Sequence, residues 1–195
     1  MKKRSIKWIL IISIAAAGFI LTISLPLLIR TYIIQAYKIP AGSMKPTLLV
    51  GDHILVGKLL KNFDEIERGD IVVFVYPPDP RKDFVKRVIG LPGDLIEIID
   101  KELYINERLF KEIYVIHTDD HIFPAKINSR DNFGPIRVPE DSLFVLGDNR
   151  DASFDSRFWG FVKLSMVKGK VTRIYWSWDK ENSQVRWDRI GLRVH

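Results

Sequence analysis

The sequence predicts a mainly β protein that begins with one membrane-spanning helix. Two observations carry this prediction. The first is a run without charged residues from Trp8 to Ile29. The second is a series of short apolar runs, rich in β-branched and aromatic residues, that recur beyond Pro40. Runs of that length, bounded by Gly, Pro and Asp, are typical of strands.

The uncharged run is long enough to cross a bilayer, because about 22 residues at ~1.5 Å rise per residue span about 33 Å. Positive residues crowd positions 2–7, against Arg30 and Lys38 beyond the run. The positive-inside rule therefore places residues 1–7 in the cytoplasm, 8–29 in the membrane as a signal anchor and 30–195 outside. A cleaved signal peptide would have a shorter apolar core and a small-residue exit site. A packed core helix is the other alternative.

Composition limits what the remaining chain can do. Roughly 165 residues fit one compact domain. The absence of cysteine excludes disulfides, thiolate catalysis and cysteine zinc sites. The net charge of +6 is scattered, without a helix-turn-helix pattern or an RNP-like aromatic motif. We therefore expect no nucleic-acid partner and assign the positive charge to contact with anionic membrane lipids.

Seven apolar runs are expected to form strands. Gly-Asp pairs introduce three of them, because Gly permits a positive φ and Asp accepts a local backbone hydrogen bond. The runs are HILVGK at 53–58, IVVFVY at 71–76, FVKRVIG at 84–90, LIEII at 95–99, ELYI at 102–105, SLFVLG at 142–147 and VTRIYWSW at 171–178.

Three segments carry weaker expectations. Residues 100–140 are more polar and less periodic, so we expect a smaller insertion there, with a hairpin around residues 105–108. The pattern of RWDRIGLRV at 186–194 is compatible with a final strand. The aromatic run Tyr175, Trp176 and Trp178 fits either the membrane interface or the core.

A serine and a lysine stand out as candidate catalytic residues. Ser43 lies in the turn-forming sequence IPAGSMKPTLLVGD at 39–52. Lys86 lies in a strand where alternation puts it on one face with Phe84 and Val88. An amine on an apolar face loses its charge, and lowering its pKa from about 10.4 to about 8 costs on the order of 3 kcal/mol. From the residues alone, a loop serine and an edge-strand lysine that reaches water are the alternatives.

Histidine and metal chemistry have less support. His53 fits a half-buried strand histidine. His117 and His121, with two aspartates between them, have a metal-like composition, but HExxH is absent and a solvated loop is favoured. The polar run NRDASFDSRFWG at 149–160 follows an apolar strand, where a β protein places either a site or a heavily hydrogen-bonded turn.

Four ordered motifs resemble those of bacterial type I signal peptidases, which are membrane-anchored serine proteases with a Ser-Lys dyad. The motifs are GSMKPTLLVGD at 42–52, RGDIVVF at 68–74, KRVIGLPGD at 86–94 and GDNRDASFDSRFWG at 147–160. The resemblance implies an antiparallel β-sheet catalytic domain with a smaller inserted β-rich region, and no metal or organic cofactor. It also implies a place in the bacterial plasma membrane and, as substrate, secreted preproteins cut after Ala-x-Ala.

By this resemblance Ser43 is the nucleophile, Lys86 the general base and Ser153 the hydroxyl that orients the lysine amine. Asp155 and Arg157, which face one way in an extended segment, would form a supporting ion pair with Arg87 nearby. Taken alone, that pair is structural rather than catalytic, and we interpret it as an ion pair that braces the loop of Ser153. The implied substrate pockets are lined by side chains that are otherwise ordinary sheet core: Tyr37, Ile39, Ile54, Val73 and Val85.

Two departures from the family pattern are visible. Ala41 stands where many Gram-negative-type members have a serine whose hydroxyl helps the oxyanion hole, so the hole would rest on backbone N–H groups, chiefly that of Ser43. Ala152 stands where asparagine is frequent, and we expect little effect. Two rival functions are a dedicated Ser-Lys peptidase of a conjugation or pilus system and a membrane-tethered β-domain that binds exported proteins without catalysis.

Overall fold

The computed structural model describes residues 18, 19, 22, 34–57 and 66–194. The predicted anchor at 8–29 therefore lies outside the described residues except at three positions. Within the described ranges, no helix is both long and apolar enough to span a bilayer.

The regular secondary structure of the described residues is mainly antiparallel strand, joined by turns and loops, which confirms the prediction of a mainly β, antiparallel fold. A short helix, α1 (Ser156–Trp159), follows the ninth strand. The strands are β1 (Ile34–Lys38), β2 (Asp52–Gly57), β3 (Ile71–Val75), β4 (Asp83–Gly90), β5 (Leu95–Ile99), β6 (Glu102–Ile105), β7 (Arg108–Leu109), β8 (Phe133–Arg137), β9 (Ser142–Leu146), β10 (Val162–Lys163), β11 (Val167–Asp179) and β12 (Gln184–Val185).

The larger sheet has the order β1-β2-β11-β3-β4-β9-β10, with β12 paired to β11. Its longest strand, β11, has 13 residues and pairs with β2 along one part and with β3 along another. In this order β4 lies between β3 and β9. Lys86 is consequently on an interior strand, so the alternative of an edge-strand lysine is wrong.

The smaller sheet, of order β7-β6-β5-β8, is inserted in the chain between β4 and β9. Its strands run from Leu95 to Arg137, so its first strand precedes the insertion predicted at 100–140. A hydrophobic cluster joins the two sheets, because Ile89 of β4 and Phe144 of β9 pack with Ile96 and Leu103 of the smaller sheet.

Both faces of the larger sheet are covered around β3. Val72 and Phe74 belong to one buried cluster, whereas Ile71 and Val73 belong to another. Successive side chains of a strand point to opposite faces, so a strand that is buried on both sides is apolar throughout. This explains the uninterrupted run IVVFV.

Three expectations need correction. The segment 186–194 is not a strand, since it contains a 3-10 helix at Trp187–Arg189 and a single bridge from Arg193 to Arg173. The aromatic residues at 175, 176 and 178 are about two-fifths exposed and do not form core. The segment at 155–157 is not extended, because Asp155 caps helix α1 and its side chain accepts a hydrogen bond from the Arg157 backbone N–H.

Candidate active site

Ser43 and Lys86, 43 positions apart in the chain, are in direct contact. The Lys86 Nζ donates a hydrogen bond of 2.7 Å to the Ser43 Oγ. A nucleophile and a base at this distance can exchange a proton without any movement of the backbone. The pair therefore has the geometry of an activated serine.

The environment of Lys86 favours the neutral amine. Its side chain comes from interior strand β4, and the residue is only 4% exposed. Burial lowers the pKa of Lys86 to about 8; the charges of Asp155 and Asp148 raise it, and that of Arg157 lowers it. A substantial share of the lysine is consequently unprotonated in mildly alkaline solution.

A tightly held turn positions Ser43. The next residue, Met44, is fully buried with Leu48 in the core, and the Leu48 N–H donates to the Met44 carbonyl at 2.9 Å. From the far side, the Asn149 backbone N–H donates to the Ser43 carbonyl at 3.1 Å and the Asn149 side-chain amide to the Gly42 carbonyl at 3.2 Å. The serine is thus fixed to the loop that follows β9.

Gly147 allows this close approach. A Cβ at position 147 would lie 2.5 Å from the Ser43 carbonyl oxygen and 2.2 Å from the Ser153 Oγ. Both distances are far below van der Waals contact, so any side chain there would push the two serine-bearing segments apart.

Ser153 lies beside the pair without joining it by a hydrogen bond. The residue is 6% exposed, and within the described part of the chain its Oγ makes no hydrogen bond of good geometry, although its interaction with Asp155 helps to lower the pKa of that carboxyl. A buried hydroxyl without a partner is costly, typically by about 1–3 kcal/mol, and such groups cluster at functional sites.

Asp155 and Arg157 form a buried ion pair after Ser153. The Arg157 Nε donates to the Asp155 Oδ1 at 2.8 Å and the Nη2 to the Oδ2 at 2.8 Å. Burial raises the pKa of the Asp155 carboxyl, but the charge and hydrogen bonds of Arg157 outweigh it and hold the pKa below its usual value. The guanidinium also donates to the carbonyls of Arg130 and Arg150, so the pair braces the loop that carries Ser153.

A second buried pair, Arg87 and Asp148, was not foreseen as a pair. The Arg87 Nε donates to the Asp148 Oδ1 at 2.8 Å and the Nη2 to the Oδ2 at 2.7 Å. Thr47 also donates its hydroxyl to the Asp148 Oδ2, at 2.5 Å. Three motifs of the sequence thus meet at one carboxylate, which ties the serine turn and the lysine strand to the end of β9.

The connection between β7 and β8 closes over this second pair. The Tyr114 ring lies 3.8 Å from the Arg87 guanidinium carbon, and its hydroxyl donates to Glu112 at 2.7 Å. Glu112 in turn accepts a hydrogen bond of 2.6 Å from Arg150. Burial, followed by the charge of Glu112, raises the pKa of the Tyr114 phenol, so the phenol stays a hydrogen-bond donor at neutral pH.

A cavity of about 270 Å³ opens onto Ser43 and Lys86. Of the five residues expected to line substrate pockets, Ile39 and Val85 border it. All five pack in one cluster, with Ile54 and Val73 fully buried behind the cavity. The other lining residues are Pro40, Ala41, Asp83, Phe84, Ala152 and Phe154.

A backbone N–H group is available to donate a hydrogen bond where a substrate oxyanion would lie. Within the described ranges, the Ser43 N–H makes no hydrogen bond, and Ala41 lies on the cavity wall without a polar side chain. A substrate oxygen placed there can accept from the Ser43 N–H, which is the arrangement expected when no side-chain donor is present.

Sequence reasoning missed Asp148, Thr47, Asn149 and Tyr114 as parts of the site. The first three lie inside motifs that had been singled out, so their motif membership was an available signal. Tyr114 had no such signal, because its contact with Arg87 depends on how the connection between β7 and β8 folds back.

Comparisons with known proteins show which family the chain belongs to. Residues 5–176 match the family model described as signal peptidase, peptidase S26. Signal peptidase I of Leptolyngbya laminosa is 38% identical over 164 residues, covering 80% of this chain and 75% of that one. Signal peptidase I P of Bacillus subtilis subsp. natto is 39% identical over 156 residues, covering 80% of both chains.

A probable signal peptidase I-2 of Synechocystis is 38% identical over 154 residues, covering 76% of this chain and 66% of that one. A signal peptidase I from Enterococcus faecalis, known from a crystal structure, is 37% identical in sequence. The structural match has a TM-score of 0.45 and covers 55% of this chain and 97% of that chain. The family model matches well over half of the chain, and two relatives are 38% and 39% identical over 80% of it. The chain belongs to the signal peptidase family, peptidase S26, a family of serine peptidases that remove signal peptides.

Proposed function

We propose that this chain removes signal peptides with Ser43 as nucleophile and Lys86 as general base. The observation that carries the proposal is the 2.7 Å hydrogen bond between a serine at the cavity wall and a lysine whose amine is buried. Histidine is not needed as a base in this scheme, because a desolvated amine has a pKa in the working range.

In the acylation step, the neutral Lys86 amine takes the hydroxyl proton as the Ser43 Oγ bonds to the scissile carbonyl carbon. The oxyanion accepts from the Ser43 N–H. The C–N bond then breaks, and the Lys86 ammonium gives its proton to the leaving amine. A water molecule next attacks the ester carbon while the Lys86 amine takes one of its protons. The ester C–O bond then breaks, Lys86 returns the proton to the Ser43 Oγ, and the signal peptide leaves as a carboxylic acid.

Ser153 is proposed to hold the Lys86 amine during this cycle. The Ser153 hydroxyl, which makes no hydrogen bond of good geometry, lies on the loop beside the Ser43–Lys86 pair. The pairs at Asp155–Arg157 and Arg87–Asp148 support this arrangement without touching the substrate. Their role is to fix the loop and the strand from which the reacting groups project.

The substrate is proposed to be a secreted preprotein that presents an extended Ala-x-Ala segment. The aliphatic wall around Ile39 and Val85, backed by the buried Ile54 and Val73, leaves room for small side chains at the first and third positions before the cut. Bulky side chains there would meet a packed core, which resists deformation.

We place the enzyme in the bacterial plasma membrane with residues 1–7 in the cytoplasm, 8–29 as the anchor and 30–195 outside, in contact with membrane lipids. The uncharged run and its flanking positive charges support this topology. It brings the cavity to the side of the membrane on which exported proteins emerge.

The test uses the full chain in lipid or detergent, with a preprotein that carries an Ala-x-Ala site. We expect a single cut after the second alanine, identified by mass spectrometry, and its loss in Ser43→Ala and in Lys86→Met. Lys163→Met, at an exposed lysine, is the matched control and should cleave normally. Cleavage that survives either active-site substitution would remove the Ser-Lys mechanism.

A further inference from the structure

Two exposed phenylalanines lie next to each other at the cavity, one of them in its wall. Phe154 and Phe158 are 52% and 39% accessible, and their rings stack with centroids 5.3 Å apart. A single exposed apolar side chain is common on proteins and needs no explanation. A stacked pair beside a reactive centre is different, because Phe154 lines the same cavity as Ser43 and Lys86.

The exposed pair rests on a fixed aromatic base. Tyr76 stacks on Phe84 with centroids 4.2 Å apart, and Tyr76 also contacts Phe154 and Trp159 at 6.4 Å and 5.8 Å. The Lys86 Nζ lies 5.6 Å from the centre of the Phe84 ring. A continuous series of rings therefore runs from the lysine to the surface, so the exposed rings are held in place before any ligand binds.

The cavity has two walls of different origin. Ile39 and Val85 extend the aliphatic core under β1 and β4, whereas Ala152 and Phe154 come from the loop after β9. In the proposed function, the aliphatic wall contacts the substrate residues that precede the scissile bond. The wall formed by Ala152 and Phe154 is then free to contact the substrate residues that follow the scissile bond.

The chemistry of the lysine supports the same assignment. After acylation the Lys86 ammonium must deliver its proton to the leaving nitrogen, so that nitrogen has to lie next to the Nζ. The chain that continues from this nitrogen is the start of the mature protein. That part of the substrate therefore passes the rings that begin at Phe84, next to Lys86, and end at Phe154 and Phe158.

We propose that Phe154 and Phe158 form a binding subsite for the first two residues after the cut, and that this subsite selects apolar or aromatic side chains. The inference rests on the proposed function and adds to it a preference on the amine side of the scissile bond. Aromatic faces bind extended peptides at low entropic cost, since the rings are already ordered.

The test compares two peptides that share one Ala-x-Ala segment and differ only after the cut, with Leu-Phe or Gly-Gly in the first two positions. We expect wild type to prefer Leu-Phe by about tenfold in kcat/KM, the scale of one apolar side chain in a pocket. The preference should fall to near unity in Phe158→Ala and Phe154→Leu. Trp187→Ala, at an exposed aromatic residue elsewhere (73% accessible), should retain it.

A second measurement does not depend on turnover. The released amine product beginning with Leu-Phe should inhibit wild type about tenfold more strongly than the Gly-Gly product, and this difference should vanish in Phe158→Ala. Equal losses on both peptides, or a preference that survives both substitutions, would overturn the subsite. An effect seen only with lipid vesicles would assign the pair to the bilayer and also overturn it.

The two proposals fail in different ways. If wild type cleaves neither peptide, the proposed function falls and the subsite with it. If wild type cleaves both at equal rates, only the subsite falls. Near-ultraviolet circular dichroism of each variant shows whether the fold around the rings is intact.

Discussion

Two buried arginine–aspartate pairs support the Ser43–Lys86 contact, and they differ in what they join. Asp155 and Arg157 are two positions apart and brace one loop, whereas Arg87 and Asp148 are 61 positions apart and join β4 to the end of β9. The local pair includes the charge with the greatest effect on the pKa of Lys86, that of Asp155; Asp148 has a smaller effect. Each charge of the local pair thus affects the pKa of Lys86 more than Asp148 does, whereas the long-range pair mainly joins two strands of the larger sheet.

The largest effect is expected from Asp148→Asn. The change leaves the Arg87 charge buried without its carboxylate and removes an acceptor for Thr47. Breaking a buried ion pair from one side costs about 3–5 kcal/mol. Urea unfolding of the purified variant measures the loss, with Asp141→Asn, at a largely exposed aspartate, as control. A loss below about 1 kcal/mol would contradict the framework role.

Lys86→Met tests how far the two pairs compensate for the buried amine. The folded-state pKa of about 8 is lower than the unfolded value of 10.5, so protonation favours the unfolded state. The resulting cost is fully present below pH 8 and disappears as the pH rises through 10.5. The variant should be more stable than wild type by about 3 kcal/mol at pH 7 and equally stable near pH 11.

Equal stability of the two proteins at pH 7 would show that the local charges fully offset the burial of the amine. Lys163→Met serves as the control, because that lysine is exposed and its loss should leave stability nearly unchanged at every pH.

Asp155→Asn should move the pH profile of kcat/KM more than Asp148→Asn does. The Asp155 charge raises the pKa of Lys86, so its removal lowers that pKa and shifts the alkaline rise of activity to lower pH. The stability loss should be about 3 kcal/mol, the lower end of the range for a buried pair broken from one side, since Arg157 keeps the backbone carbonyls of Arg130 and Arg150 as acceptors. A larger shift in Asp148→Asn would reverse the comparison.

The smallest effect is expected from Thr47→Val. The valine keeps the shape but removes one donor to Asp148, which costs about 1 kcal/mol of unfolding free energy. Thr47→Ser retains the hydroxyl and should recover most of that loss. A loss of stability in Thr47→Ser without a loss in Thr47→Val would indicate that the methyl group, not the hydrogen bond, matters at this position.

The parts of the fold that the sequence predicted are those set by local patterning. The continuous runs of β3 and β9 predict buried strands, and their observed limits, Ile71–Val75 and Ser142–Leu146, differ from the expected ones by one residue. The strand at Phe133–Arg137 was missed, because its Gly and Pro break the apolar pattern and its pairing with β5 supplies the stability. The error at 186–194 has the same origin, since periodicity alone does not decide whether a terminal segment has a partner.

In the site, too, contacts between neighbours in sequence could be predicted, whereas contacts that depend on the fold could not. Asp155 and Arg157 are neighbours in sequence, so their pairing could be anticipated without knowing the fold. The pairing of Arg87 with Asp148 depends on β4 and β9 being adjacent in the sheet. Burial of Lys86 likewise follows from strand order, because the same alternation on an edge strand would leave the amine in water.

The contacts of Glu112 and Tyr114 have a consequence for how the enzyme is lost on heating. The segment that carries them also exchanges backbone hydrogen bonds with the loop after β9, from the Ile116 N–H to the Asp148 carbonyl and from the Arg150 N–H to the Ile116 carbonyl. Local opening of this segment removes the Tyr114 ring from Arg87 and, at the same time, the Glu112 carboxylate from Arg150. We therefore expect the connection between β7 and β8 to open together with the loop after β9, so that amide exchange in both segments and thermal inactivation should proceed in step.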